Sequence, residues 1–120
     1  MRVLVCGGRE FSDLKWLTKE LDQVHQENSI KMIVHGNARG ADKLSGIWAA
    51  WNKVQCCPVP AEWSRYGKRA GGIRNQKMLG YGIDLVLAFP GGSGTRDMIK
   101  RARKHGVKVV DLSQDQKELL

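Results

Sequence analysis

The segment Pro90-Gly91-Gly92-Ser93-Gly94-Thr95 carries the sharpest chemical signal in the chain. It separates an apolar run, Leu85 to Phe89, from a segment, Thr95 to His105, whose spacing is helical. Bare glycine amides at a helix N-terminus form an anion site, because unpaired N–H groups and the helix dipole converge there. The Ser93 and Thr95 hydroxyls can add hydrogen bonds to a phosphate. The plain alternative is a glycine-rich turn in which Thr95 caps the helix. No Gly-Lys-Ser/Thr follows at the Walker spacing, and no GxGxxG fingerprint follows the first apolar run, so neither nucleotide-cofactor motif is present and no cofactor is expected.

Two further glycine loops follow apolar runs. Gly7-Gly8-Arg9 closes Arg2 to Cys6, and Gly36 and Gly40 bracket Arg39 after Met32-Ile33-Val34. Residues 7–10, 36–41 and 91–95 hold seven of the fourteen glycines. That excess over the needs of tight turns points to backbone kept bare for a ligand. Arg9 and Arg39 follow glycines on these loops, where guanidinium forks suit phosphate oxygens, or they are solvated. Asp42 begins a helical segment and can favour its dipole or accept ribose hydroxyl bonds. His35 reads as a hydrogen-bonded strand-end residue rather than a base. Trp63 and Tyr66, in a basic stretch, offer faces for a nucleobase. The Lys100, Arg101, Arg103, Lys104 cluster reads as a solvated helix face.

These residues need a scaffold that brings three loops together. Arg2 to Cys6, Met32 to Val34, Val54 to Val59, Leu85 to Phe89 and Val107 to Val110 read as short strands, the third flanked by Pro58 and Pro60. Between them, Leu14, Leu17, Leu21 and Val24 mark a helix capped by Ser12 or Asp13, and Ala41, Leu44, Ile47, Trp48 and Trp51 mark a second. Glu62 to Gly72 has no clear period and reads as a loop, followed by a helix from Arg74 to Gly80. The last residues form a polar tail. Such alternation predicts an α/β fold, a single Rossmann-like three-layer domain over residues 1–120 with a mainly parallel sheet of about five strands. Ligands of such sheets bind at the carboxyl edge where strand order reverses, and the glycine loops fall at that edge.

The 120 residues, 42% hydrophobic and 27% charged, are ordinary for a globular domain. No apolar run reaches the roughly 20 residues of a membrane span, and Arg2 and Glu10 interrupt any signal-peptide pattern, so a cytoplasmic protein without membrane contact is expected. Three cysteines, two adjacent, make neither a disulfide framework nor a zinc spacing, and no metal is expected. Residues 63–108 carry eleven basic groups against Asp84 and Asp97, whereas residues 1–62 are nearly balanced. A field of that sign gathers anions, from nucleotides to nucleic acid, without choosing among them.

The PGGSGT segment resembles the PGGxGT motif of the SLOG superfamily, which includes the LOG phosphoribohydrolases, the DNA-processing protein DprA and nucleotide-signal sensor domains. His35 to Asp42 is similar to the GxARGxD motif of DprA-like members, and Arg74-Asn75 with Met78 resembles the arginine-bearing helix that faces the phosphate loop. Cys6 to Arg9 with Phe11 and Asp13, Pro60 to Trp63, and Gly67 to Asn75 look closest to the small stand-alone YspA/YpsA-related branch. The resemblance implies a ligand site built from Gly7, Gly8, Arg9, Gly36, Arg39, Gly40, Asp42, Trp63, Arg74, Asn75 and Gly91 to Thr95. It implies a nucleotide-derived partner, a phosphorylated nucleotide or ADP-ribose-type molecule, held by a sensor or sequestering protein. In the phosphoribohydrolases a Glu three residues beyond the threonine works with the facing Arg. Arg74 matches that Arg, but the Glu position is Met98, and Asp97 is turned from it by about 100°. Hydrolysis of nucleoside monophosphates, with Arg74 and Asp97 as its residues, and DprA-like nucleic-acid binding remain alternatives. The superfamily and four tryptophans in a small domain also imply a homo-oligomer.

Overall fold

Val3, Leu4 and Val5 lose all contact with water because β1 (Arg2–Cys6) is the middle strand of the sheet and is covered on both faces. The computed structural model describes residues 1–114. The other strands are β2 (Met32–His35), β3 (Gln55–Pro58), β4 (Leu85–Ala88) and β5 (Lys108–Asp111), in the order β3-β2-β1-β4-β5. Every pairing is parallel, so the sheet is all-parallel rather than mainly so. The register sets Val3 beside Ile33 and Leu85, and Cys6 beside Ala88. Continuous apolar runs suit strands buried on both sides.

Among the described residues, five α-helices connect and cover the sheet. Helices α1 (Leu14–Glu27) and α2 (Ala41–Trp51) bury Leu17, Leu21, Trp48 and Ala49 against Val3, Val5, Ile33, Leu87 and Phe89. Of the two cap residues open in the sequence, Asp13 takes the role, its carboxylate accepting the Trp16 amide at 2.9 Å. On the other face, α4 (Ala70–Leu79) and α5 (Ser93–Lys104) bury Met78, Leu79, Met98, Ile99 and Ala102 against Leu4, Val34, Val86 and Ala88. Cys56 and Cys57 fall on opposite faces, as successive strand residues must, and all three cysteines are free thiols.

The stretch expected as a loop is helical. Trp63–Tyr66 forms a single turn, α3, Gly67–Arg69 a 3-10 turn, and α4 starts at Ala70, four residues before the expected Arg74. Two glycines in its first turn hide the period, since each costs about 1 kcal/mol relative to alanine in a helix interior. Glycine suits the second position by space: a side chain at Gly72 would meet the Arg101 guanidinium at 2.9 Å, whereas one at Gly71 would stand in ordinary contact with Trp63 at 3.4 Å. Helix α5 begins at Ser93, so its first turn contains most of the glycine loop. Among the described residues, no helix is long and apolar enough to cross a membrane.

Candidate functional site

Strand order reverses between β1 and β4, and the loops that follow these strands define the site. The Gly8 amide donates to the Pro90 carbonyl at 2.8 Å, and the Ala41 amide to the Gly8 carbonyl at 3.3 Å, which ties all three glycine loops into one edge. Much of the glycine excess serves this closure. Gly40 has φ +82°, and a side chain there would collide with the Gly8 carbonyl; one at Gly91 would collide with Thr95 and with the Gly8 amide. Gly36 is kept bare for the Arg74 guanidinium rather than for a ligand. Gly92 and Gly94 alone among the loop glycines have open space where a side chain would stand.

Beneath those two glycines lies a cleft of about 390 Å³, lined by Cys6, Gly7, Gly8, Arg9, Ala38, Asp42, Trp63, Arg74, Asn75 and Gly92 to Thr95, with Gly71 and Met78. No side chain caps the N-terminus of α5 and no acidic residue stands in its first turn, so its leading amides face the cleft without a counter-charge. Arg9 lies over the Trp63 ring at 5.9 Å, a cation on an aromatic face.

Arg74 is anchored in the wall. Its Nη1 donates to the Gly36 carbonyl at 2.6 Å and its Nε to Asn75 Oδ1 at 3.0 Å. Buried Asn75 uses its Nδ2 to donate to the Gly94 carbonyl at 3.2 Å and to Asp97 Oδ2 at 3.0 Å. One side chain thus sets the guanidinium and the phosphate-type loop in a common frame. Burial pulls the Arg74 guanidinium down from its ordinary range, and Asp42 opposes that shift.

The expected residues separate into two groups. Gly7, Gly8, Arg9, Asp42, Trp63, Arg74, Asn75, Gly92, Ser93, Gly94 and Thr95 line the cleft. Gly36 and Gly40 shape it from behind, and Gly91 borders a neighbouring depression beside Phe11 and Ser12. Arg39 is paired with Glu10 on the surface, both largely exposed, and does not line the cleft. Asp97 faces away from it, bonded to Asn75 and at 2.8 Å to Arg101 Nε, while Met98 is fully buried in the core beside Met78 and Ala102. The lining residues that the sequence did not single out are Cys6, Ala38, Gly71 and Met78. Helical spacing would have found Gly71, one turn before Arg74 and Asn75, had α4 been recognised from its start.

Asp42 is therefore the one carboxylate lining the cleft among the described residues. Burial raises it from 3.8 to about 6, although the amides of Ala38 and Gly36 and the charges of Arg74 and Arg9 pull it down. The folded state holds this proton more tightly than the unfolded chain does. Asp42 thus costs no stability below about pH 4, and its cost grows as pH rises from 3.8 to about 6 and is constant above. His35 acts in the opposite sense: burial, then Lys43 and Arg74, lower it from 6.5 to about 4, so its contribution is present above pH 6.5 and lost as pH falls. Comparing wild type with Asp42→Asn isolates the carboxylate. Chemical denaturation across pH 4 to 7 is expected to show the variant gaining on wild type by on the order of 2 kcal/mol; parallel profiles would return Asp42 to an ordinary acid.

Cys6 also lines the cleft, but burial first, then Asp42 and Asp111, pushes its thiol far up, and a protonated thiol is not a nucleophile. His35 accepts the Asn37 amide at Nδ1 and is neutral at physiological pH. Among the described residues, no group of three His, Cys, Asp or Glu side chains is placed to hold a metal ion.

The chain is 36% identical over 118 residues to the Gene 61 protein of Mycobacterium phage D29, covering 92% of this chain and 94% of that one. A solved structure, the DNA processing protein A of Streptococcus pneumoniae, aligns with a TM-score of 0.48 at 22% identity, over 95% of this chain and 59% of that one; the chain spans somewhat over half the length of that protein. Residues 1–66 match the family described as YAcAr, YspA, cpYpsA-related SLOG, and they contain the Gly7-Gly8-Arg9 loop, the Gly36–Asp42 loop and Trp63. With more than half the chain so matched and a phage relative aligned along nearly all of it, the chain belongs to the YspA, cpYpsA-related SLOG family.

Proposed function

We propose that the cleft binds a phosphorylated nucleotide or ADP-ribose-type small molecule, with a phosphate on the amides of Ser93, Gly94 and Thr95, and that the protein acts as a sensor of that ligand or sequesters it. The observation that carries the reading is the uncapped, acid-free first turn of α5 opening into a cleft flanked by Arg9 and Arg74. Asp42 supplies an acceptor for ribose hydroxyls, and the exposed Trp63 a face for a base. A cleft of about 390 Å³ falls within the range of small-molecule sites.

Sequestration is favoured over glycosidic hydrolysis because a carboxylate must stabilise positive charge at the anomeric carbon or prepare water. Met98 cannot do so, and Asp97 is committed to Asn75 and Arg101. Thermal melts with nucleoside monophosphates, diphosphates, ADP-ribose and the matching unphosphorylated nucleosides test the reading. Phosphorylated compounds should raise the melting temperature and nucleosides should not. Equal shifts from both, or base release by wild type that Asp42→Asn abolishes, would overturn it.

A cytoplasmic, reducing setting fits three free thiols. Self-association belongs to the same proposal: Trp48 is covered and Trp16 partly so, but Trp51 is 63% exposed and Ile47, one turn away on α2, is 40% exposed. Light scattering at micromolar concentration should give a dimer or larger, reduced to monomer by Trp51→Glu. A monomeric wild type would remove the oligomer from the account.

A further inference from the structure

The α4–α5 face of the molecule carries a second feature that shares no lining residue with the cleft. Two contiguous hollows, of about 480 and 870 Å³, meet at Gln76, Asp97 and Arg101 and form one groove between the helices. Lys68, Arg69 and Lys77 supply cations from one wall, and Lys100, Arg101 and Lys104 from the other. The groove's carboxylate, Asp97, is occupied by Arg101 Nε and Asn75 Nδ2, and Arg101 Nη1 is held by Gln76 at 3.1 Å. Lys100, Arg101 and Lys104 of the basic cluster on α5 thus form one wall of a two-sided channel, while Arg103 stays on the solvated face outside it.

We infer that this groove binds the sugar-phosphate backbone of a single-stranded nucleic acid without reading its sequence. Six cations, of which Arg101 is spent on Asp97, leave five uncompensated and give the charge complementarity, and converging walls track a strand where a flat patch would not. Ile73 is the groove's single aliphatic residue, so an acidic polypeptide finds no apolar seat of the kind that anchors protein interfaces. From Asp97 to His105 the α5 wall runs about 12 Å, room for a few nucleotides.

Fluorescence anisotropy of a labelled short oligothymidylate, titrated with the full chain at several salt concentrations, tests the inference. About four neutralised phosphates predict a log–log salt slope of about −3. Lys100→Glu with Lys104→Glu should weaken binding more than about tenfold, while Arg96→Glu with Arg103→Glu, an equal charge change on exposed positions of α5 outside the groove, should weaken it less than about threefold. Unchanged melting curves establish that both variants fold. Equal losses in the two pairs would reduce the effect to net charge and overturn the groove. Displacement of the oligonucleotide by polyglutamate, charge for charge, would overturn the nucleic-acid assignment.

Discussion

Ser93→Asp is expected to stabilise the fold while removing ligand binding by about a hundredfold or more. Ser93 is exposed, opens α5, and has no acidic neighbour in the first turn. A carboxylate there complements the helix dipole and adds roughly 0.3–1 kcal/mol. The same carboxylate stands where the ligand's phosphate is proposed to sit. Two like charges about 4 Å apart in surroundings of effective dielectric near 20 repel by about 4 kcal/mol, and about 1.4 kcal/mol is already tenfold in affinity. Calorimetry with the nucleotide that gives the largest thermal shift reads both effects. A stabilised variant with unchanged affinity would leave the loop a capped turn and nothing more.

The second large effect is at Arg74. Arg74→Ala should weaken nucleotide binding by more than about tenfold, since a charged hydrogen-bond donor in a partly desolvated wall contributes roughly 1.5–3 kcal/mol. Stability should also fall. The Gly36 carbonyl and Asn75 Oδ1 lose their donor, and Asp42 loses a cation that holds its pKa down against burial. Asp42 should therefore titrate higher in the variant. Arg74→Lys keeps the charge without the fork and should recover part of the affinity, measured by calorimetry, but not both anchoring bonds. Loss of stability with full retention of affinity would make Arg74 a strut between β2 and α4 and remove it from the site.

Much of this arrangement was legible because it rests on local rules. Fully buried Val3 to Val5 and Leu85 to Phe89 are continuous apolar runs, and parallel strands buried on both faces require such runs. The loop after β4 combines glycines with an apolar strand before it and a helix after it, so its place at a strand's carboxyl end and a helix N-terminus could be read directly. What escaped depends on partners distant in sequence. Gly71 and Gly72 lie in a helix against their own propensity, and their bare positions face Trp63 and Arg101, which local spacing does not reveal. Arg39 turns outward to Glu10, 29 residues away. Gly40 and Gly91 are bare because loops approach one another, and Gly36 because the Arg74 guanidinium does, requirements indistinguishable in sequence from a ligand's approach. Asp97 was separated from Met98 only by rotation about α5, and the buried face of that helix decides which of them meets solvent.

Mass spectrometry of the small molecules released on denaturing wild type and Ser93→Asp, purified side by side from the native host, tests the central claim most directly. An intact phosphorylated nucleotide or ADP-ribose-type compound is expected in the wild-type extract and none in that of the variant. Identical extracts from the two proteins would contradict it.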